Sequence, residues 1–184
     1  MNIIHDIAWG LDYLHSKGLM HRDIKPQNIL ISKNRRMKLC DLEVIKELND
    51  PDQTKRVGTN GYIAPEFNEH SQKYTEKIDI WSLGISILQL YSKKKISEVN
   101  DSKDEILQKI KEKDENLFNL LDLCLKKKPE ERISSEQIIS FIEKIWLDNP
   151  SKENKYVANS LKSNDKTRLF SGKNTDKLTL FRVL

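Results

Sequence analysis

The sequence predicts a mainly helical domain that carries a few short β-strands. Several segments repeat apolar residues at the period of an amphipathic helix. Residues 78–90 are apolar on nearly every face, which indicates a helix buried on all sides. Between the helical patterns near the amino terminus lie short apolar runs of the kind that form small strands.

The first elements follow directly from this pattern. A helix is predicted at the amino terminus, where Gly18 ends a stripe of apolar positions. The stripe consists of Ile3, Ile7, Leu11 and Leu14. Small strand ladders are then predicted at Leu19-Met20, Ile29 to Ile31 and residues 37–40, with Asn34-Arg35-Arg36 as the turn between the last two.

Three further helices are predicted after the buried one. Ser102-Lys103-Asp104-Glu105 has the pattern of a capping box and precedes apolar positions at helical spacing. A second stripe consists of Leu117, Leu120, Leu121, Cys124 and Leu125. Ser134-Ser135-Glu136-Gln137 predicts a second capping box, and the helix behind it carries Ile138, Ile142, Ile145 and Trp146.

Charge is distributed unevenly along the 184 residues. The formal net charge is +4, and residues 148–184 contain eight Lys or Arg against four Asp or Glu, so the whole excess lies in this tail. The tail is rich in Asn, Ser and Lys with little periodicity, and we expect it to be largely disordered. Within the tail, residues 178–184 are apolar enough to dock as a strand or short helix.

Composition excludes several classes of protein. The short lysine runs at 93–95 and 126–128 have no interleaved aromatic residues, so we expect no nucleic-acid partner. No apolar run approaches the roughly 20 residues of a membrane span, and no signal peptide is evident. Cys40 and Cys124 are far apart, which favours reduced thiols. We therefore expect an intracellular protein, cytoplasmic or nuclear.

Five motifs carry chemical information. Residues 21–28 read H-R-D-I-K-P-Q-N, and Asp41-Leu42-Glu43 follows a predicted strand. Residues 58–66 read G-T-N-G-Y-I-A-P-E, residues 79–84 read D-I-W-S-L-G, and residues 129–133 read P-E-E-R-I. A single His-Arg-Asp triplet can be an ordinary surface turn, but five motifs in this order are a specific signal.

The order and spacing of these motifs resemble the carboxyl-terminal lobe of a eukaryotic protein kinase of the serine/threonine type. The resemblance covers residues 1–147. Lys25, two residues after Asp23, is typical of serine/threonine specificity. Small-molecule phosphotransferases with a similar lobe usually lack the A-P-E and D-x-W-S-x-G segments and are a weaker choice.

The resemblance implies a set of roles at the reaction centre. Asp23 would be the catalytic base for the hydroxyl of a protein substrate, and Lys25 would be a second catalytic residue that balances the charge of the transferred phosphoryl group. ATP and Mg2+ would be the cofactors, with Asn28 and Asp41 as metal ligands. Leu30 would lie beneath the adenine ring.

The resemblance also implies residues that support and regulate the site. His21 would pack beside the metal-binding segment, and Asp79 would accept hydrogen bonds from the catalytic-loop backbone. Glu66 and Arg132 would form a buried ion pair. For regulation, Arg22 would receive a phosphate on the activation segment, and Thr54 is the candidate phosphosite. Thr59 would instead contact Asp23 and Lys25 near the substrate.

Two departures from the family pattern bear on activity. The six glycines never fall in a G-x-G-x-x-G spacing, and no lysine or glutamate matches the family's ATP-anchoring pair, both of which belong to the amino-terminal lobe. Glu43 replaces the glycine of the metal-binding motif. A residue with a side chain allows the motif fewer backbone conformations than glycine does. We therefore expect these 184 residues alone to transfer phosphate poorly, an expectation that Asp23-dependent turnover by the purified chain would contradict.

Two functions remain open from the sequence. The chain is part of a serine/threonine kinase that needs an amino-terminal lobe, or it is an inactive pseudokinase that binds proteins near residues 102–113. The presence of Asp23, Lys25, Asn28 and Asp41 together favours the kinase, since a binding module needs none of them. Glu43 and the missing glycine loop favour the pseudokinase.

Overall fold

The computed structural model describes residues 1–33, 35–41, 45–48, 58–68 and 74–149. Within these ranges the protein is mainly helical with four short strands, which confirms the predicted fold class. The helices are α1 (Asn2–Ser16), α2 (Lys77–Ser92), α3 (Ile96–Asp101), α4 (Lys103–Lys113), α5 (Glu115–Cys124) and α6 (Ser135–Asp148). The strands are β1 (Leu19–Met20), β2 (Ile29–Ile31), β3 (Met37–Leu39) and β4 (Lys46–Glu47).

The strands form two antiparallel pairs that hold the loops of the site. β2 pairs with β3 as predicted, with Leu30 opposite Lys38. β3 ends at Leu39, so the prediction that Cys40 belongs to this strand was wrong. β1 pairs with β4, a partner that the sequence pattern did not indicate because Lys46–Glu47 has no apolar alternation.

The apolar face of α1 packs on the core, as predicted, but with one correction. Ile4, Ile7, Leu11 and Leu14 are buried, whereas Ile3 is 43% exposed. Positions 4, 7, 11 and 14 follow the i, i+3, i+7, i+10 spacing of a single helix face, and residue 3 is rotated away from it. The start of the stripe was therefore misplaced by one residue.

Helix α2 is the centre of the fold. All residues from 78 to 88 are buried, which confirms the prediction of a helix surrounded on every side. Leu90, at the end of the same apolar segment, is 45% exposed. Helix α2 contacts α3, α4 and α5.

The two predicted capping boxes have different outcomes. Ser134 accepts a hydrogen bond from the backbone N–H of Gln137, and the Gln137 side chain accepts from the Ser134 N–H, so this box is confirmed. Ser102 forms no cap, and the prediction of a box there was wrong. Its hydroxyl instead donates to the Glu98 carbonyl at 2.6 Å. Ser102 also ends α3, where the last carbonyl groups of that helix lack backbone partners.

A buried histidine joins α1 to α6 near the start of α1. The indole N–H of Trp9 donates to Nε2 of His5 at 3.3 Å, and Oε1 of Glu143 lies 3.2 Å from the same nitrogen. The ring of Trp146 packs edge-on against His5, with 4.6 Å between ring centroids. Burial lowers the pKa of His5, and the neighbouring Glu143 carboxylate offsets that effect only in part.

This histidine predicts a pH dependence of stability. The unfolded chain has the ordinary His pKa of 6.5 and binds the proton more tightly than the folded protein does. The contribution of neutral His5 to the free energy of unfolding should therefore be fully present above pH 6.5. It should be lost as the pH falls through the lower, folded-state pKa. His5→Gln should reduce this slope in urea unfolding followed by tryptophan fluorescence. Equal slopes in the two proteins would contradict the prediction.

Several sequence predictions concern residues that the structure does not describe. The predicted disorder of the tail and the docking of residues 178–184 fall in this class, since the described part ends at residue 149. Asp148 itself is the last residue of α6. No helix in the described ranges is long and apolar enough to span a membrane.

Candidate active site

Asp79 fixes the loop between β1 and β2, which contains the H-R-D motif. Its carboxylate, at the start of α2, is fully buried and accepts hydrogen bonds from the backbone N–H groups of His21 (2.8 Å) and Arg22 (2.7 Å). Nε2 of His15 lies 3.0 Å from the same carboxylate. Burial opposes ionisation of Asp79, but His15 and His21 outweigh it and keep its pKa below the ordinary value.

Two residues, one in this loop and one after β3, have an uncommon backbone conformation. Arg22 has φ 68° and Asp41 has φ 64°, both in the left-handed region that non-glycine residues rarely adopt. Such residues persist only where surrounding contacts determine them. For Arg22, the hydrogen bond to Asp79 is one of these contacts, so the buried carboxylate stabilises the strained turn before Asp23.

His21 links the loop to the segment that carries Asp41. The His21 side chain is fully buried, and its Nε2 lies 3.0 Å from the carbonyl oxygen of Cys40. Nδ1 accepts the backbone N–H of Asp23 at 3.4 Å, so Nε2 carries the proton and donates. The Cys40 N–H donates to the Asn28 carbonyl at 3.0 Å. These bonds bring Asp41 next to the catalytic loop.

Asp23 is the centre of a compact polar cluster. Its Oδ2 lies 2.7 Å from Nζ of Lys25, and its Oδ1 accepts the Thr59 hydroxyl at 2.7 Å. Nζ of Lys25 also donates to the Thr59 oxygen at 2.7 Å. The Asn28 amide donates to the Asp23 carbonyl at 2.8 Å and to Oδ2 at 3.0 Å. Three predicted site residues therefore meet at the carboxylate of a fourth, Asp23.

The electrostatics of this cluster keep Asp23 charged. Burial of the carboxyl tends to raise its pKa, but the hydrogen bonds from Lys25, Thr59 and Asn28 and the charge of Lys25 outweigh burial. The pKa of Asp23 is therefore below its ordinary value, and the group is a carboxylate at neutral pH. The side chain remains 11% exposed, so an incoming hydroxyl can approach it.

The donor set of Asn28 and Asp41 fits magnesium. Both amide hydrogens of Asn28 point to Asp23, which directs the amide oxygen away from that carboxylate. Asp41 is exposed and directly follows Cys40, whose backbone bonds to Asn28 and His21. Mg2+ prefers oxygen ligands and usually takes one or two from the protein while phosphates and water supply the rest. Two oxygen-bearing side chains at the loop edge match that requirement.

An apolar surface lies on the strand that follows Asn28. Leu30 is 41% exposed and Ile31 is 70% exposed on β2, although Ile29 packs against the core. Exposed aliphatic side chains next to a polar cluster are suited to contact a flat aromatic ring. Leu30 is one of these exposed side chains, and its contact with adenine stays a prediction.

The segment after Gly58 approaches the catalytic loop closely. Gly58 has φ 121°, and a Cβ there would lie 2.9 Å from the Arg22 carbonyl oxygen, so any larger residue would force the two segments apart. The next residue, Thr59, makes the contacts with Asp23 and Lys25 described above. Glycine at this position lets the two segments meet.

Glu66 and Arg132 form the ion pair that the sequence suggested. Their side chains meet in a bidentate arrangement, with N–O distances of 2.5 and 2.6 Å. The remaining guanidinium hydrogens go to the carbonyls of Lys126, Lys127 and Lys77. All five donors of Arg132 are therefore used, and the pair ties the segment from 58 to 68 to the helices below.

Three predicted site positions lie outside the described residues. These are Leu42 and Glu43 of the metal-binding motif and the candidate phosphosite Thr54. Arg22, the proposed phosphate receptor, is described and is buried with 7% exposure. Among the described residues, the cluster contains Asp23, Lys25, Asn28 and Thr59, and Asp41 is linked to it through the backbone of Cys40.

Sequence reasoning missed one residue that supports the site. His15, near the end of α1, contacts Asp79 and also lies 3.3 Å from the Ser135 hydroxyl at the start of α6. It joins three helices beneath the catalytic loop. Its partners are 64 and 120 residues away in sequence, so no local pattern indicated the role.

Comparison with known proteins finds similar sequences among the protein kinases. The protein kinase domain model matches residues 1–153. The chain is 37% identical over 171 residues to the MAP kinase kinase MKK1/SSP32 of Saccharomyces cerevisiae, an alignment that covers 83% of this chain and 33% of the relative. It is 33% identical over 165 residues to the mitogen-activated protein kinase hog1 of Aspergillus clavatus, covering 88% of this chain and 40% of the relative.

A third relative has an RGS domain in its name. The RGS domain-containing serine/threonine-protein kinase A of Dictyostelium discoideum is 30% identical over 174 residues, covering 90% of this chain and 15% of the relative. The chain thus spans two fifths or less of the length of these three relatives. The domain match and the polar cluster around Asp23 lead to one conclusion: the chain belongs to the protein kinase family.

Proposed function

We propose that these residues provide the catalytic loop of a serine/threonine protein kinase, which transfers the γ-phosphate of ATP to a protein hydroxyl. The observation that carries the proposal is the cluster in which Lys25, Thr59 and Asn28 all bond to the Asp23 carboxylate. A charged carboxylate, partly exposed and beside an ammonium group, is the arrangement needed to accept a hydroxyl proton near a phosphate.

Each residue of the cluster has a distinct proposed role. Asp23 accepts the proton of the substrate hydroxyl, and Thr59 holds the carboxylate in place. Lys25 bonds to both Asp23 and Thr59. Its positive charge stabilises the negative charge that accumulates on the transferred phosphoryl group. Asn28 orients the carboxylate through its amide hydrogens. Because phosphoryl transfer depends on position and electrostatics, fixed hydrogen bonds of this kind are the main contribution of the protein.

Nucleotide and metal would be held at the edge of the loop. We assign Mg2+ to the oxygen atoms of Asn28 and Asp41, and the adenine of ATP to the exposed face of Leu30. Mg2+ would neutralise phosphate charge when bound. The backbone hydrogen bonds of Cys40 to Asn28 and His21 support this pairing, because Asp41 is the next residue in the chain.

We further propose regulation through Arg22. Its buried position beside Asp23 suits an arginine that is held in place when a neighbouring segment carries a phosphate. Thr54 is the proposed phosphosite. Peptide mapping by mass spectrometry of the protein from its native cells should find the phosphate on Thr54, and a phosphate on Thr59 alone would contradict this assignment.

The pseudokinase alternative has less support from the contacts. A protein-binding module would use the surface of α4, and it requires no ordered cluster around Asp23. Glu43 is the sequence feature that favours it, since the side chain restricts the backbone of the metal-binding motif.

We place the reaction inside the cell, where ATP is available and Cys40 and Cys124 remain unpaired.

The test is a transfer assay on the tagged protein purified from its native cells, which keeps any polypeptide that normally accompanies these residues. Labelled phosphate from Mg·ATP should appear on serine or threonine of a protein substrate, and Asp41→Asn should abolish this magnesium-dependent transfer. Transfer that is absent from the preparation, or equal in the Asp41→Asn variant, would favour the binding-module alternative.

A further inference from the structure

Three consecutive lysines, Lys93, Lys94 and Lys95, form the loop between α2 and α3, which we call the lysine loop. Lys93 and Lys95 are exposed, whereas Lys94 is half-buried and its ammonium group donates to the Ser102 hydroxyl at 3.0 Å. Within the described residues, no carboxylate forms an ion pair with any of the three lysines. The loop therefore presents two ammonium groups to an approaching molecule.

Local electrostatics accounts for only part of this lysine loop. Lys93 ends α2, where the helix dipole favours a cation. Lys95 directly precedes α3, and the dipole of that helix disfavours a cation at this end. Adjacent like charges also repel one another. Because sites that break local rules without a compensating contact are expected to be functional, a binding partner explains the loop better than its own stability does.

Contacts on both sides fix the lysine loop beside Gly61 and Tyr62. On the α2 side, the Tyr62 hydroxyl donates to Oε1 of Gln89, which lies about one helical turn before Lys93. On the α3 side, the Asn100 amide donates to the Gly61 carbonyl at 3.1 Å. The two helices that the lysine loop joins therefore both contact the same short segment.

This segment leads directly to the reaction centre. The Tyr62 N–H donates to the Thr59 carbonyl at 3.2 Å, and the Thr59 hydroxyl contacts the Asp23 carboxylate. An extended peptide advances about 3.3 Å per residue. A substrate whose hydroxyl lies at Asp23 can therefore place a side chain from a few positions away at the lysine loop.

The charges along this path favour a negatively charged side chain. Residues 59–64 read T-N-G-Y-I-A and carry no charge. Asp23 itself is paired with Lys25 at 2.7 Å. Glu98 and Asp101 follow on α3, but in the described part of the chain neither forms an ion pair with the lysines. Positive charge is therefore available where the substrate passes the loop.

We propose that Lys93 and Lys95 select protein substrates with acidic side chains near the serine or threonine that receives the phosphate. Opposite charges of this kind contribute more to specificity and to the rate of encounter than to affinity. Single-stranded nucleic acid fits the loop less well, because no aromatic residues interleave with the lysines. The inference rests on the proposed function, since it names the class of substrate for the same site.

The test uses the tagged protein purified from its native cells and two synthetic peptides that share one serine. Glutamates flank the serine in the first peptide, and glutamines replace them in the second. The acidic peptide should have a kcat/KM roughly 5-fold higher, and added salt should reduce this preference. Lys93→Asn combined with Lys95→Gln should abolish it. Asparagine suits position 93, where φ is 56°, because it adopts the left-handed conformation readily.

Two further variants make the result specific. Lys127→Gln with Lys128→Gln removes two exposed lysines from the loop after α5 and should leave the preference unchanged. Lys93→Glu with Lys95→Glu should reverse the preference toward a peptide with lysines in place of the glutamates, a gain that a misfolded protein cannot show. The inference is overturned if both neutralised pairs have the same effect, or if the reversed variant still prefers the acidic peptide.

A binding measurement separates this inference from the proposed function. Without ATP, fluorescence anisotropy of the labelled acidic peptide should show roughly 5-fold weaker binding to the variant with Lys93→Asn and Lys95→Gln. If this loss occurs but no phosphate is transferred, the proposed function fails and the lysine assignment stands. If phosphate is transferred with equal kcat/KM to both peptides, the lysine assignment fails. Tighter binding of a single-stranded oligonucleotide than of the acidic peptide would also overturn it.

Discussion

Asp23→Asn should lower the rate of phosphate transfer by about 10²- to 10⁴-fold, the usual contribution of a positioned general base. The amide cannot accept the hydroxyl proton, and it removes the negative charge that lies 2.7 Å from Lys25. Because asparagine has nearly the same shape, the contact with the Thr59 hydroxyl can persist. The measurement is kcat with labelled ATP on the protein purified from its native cells.

A matched substitution separates this effect from a general loss of charge. Asp122, on α5, is 48% exposed and pairs with Lys126 at 2.8 Å. Asp122→Asn changes the same functional group outside the site and should leave kcat within about 2-fold, as expected for a surface ion pair. If Asp23→Asn were as active as Asp122→Asn, Asp23 would not be the base of the reaction.

Arg132→Ala should reduce the free energy of unfolding by about 3 to 5 kcal/mol, the effect of removing one partner from a buried ion pair. The substitution leaves the Glu66 carboxylate, which is 7% exposed, without its bidentate partner. It also leaves three carbonyl groups without a guanidinium donor and removes the cation that stacks on Trp81 at 5.0 Å. Urea unfolding followed by circular dichroism measures the change.

The control for this second prediction is Lys128→Ala. The Lys128 side chain is 68% exposed and lies 3.4 Å from Glu131, so its loss should cost about 0 to 1 kcal/mol. Arg132→Lys tests the geometry, because an ammonium group cannot provide five donors in a planar arrangement. Equal midpoints for Arg132→Ala and Lys128→Ala would show that the buried pair does not anchor this segment.

The local parts of the structure were predictable because their causes are local. Apolar spacing located α1, α2, α5 and α6, and the Ser134 capping box located the start of α6. The same reasoning failed at Ser102, where two helices adjoin and the hydroxyl serves the first of them. A pattern of four residues cannot show which of two adjacent helix ends will use the side chain.

By itself, the sequence determined the family, the helical fold class and the residues to expect at the reaction centre, because these follow from residue types at fixed spacings. Only the tertiary structure decided how they are held: His15 beneath Asp79, β4 beside β1, and Tyr62 fixed by Ser82 and Gln89. These contacts join segments that are distant along the chain. Their free energy depends on which groups the packed core brings within hydrogen-bonding distance. The spacing of residues within one segment cannot predict which distant groups those are.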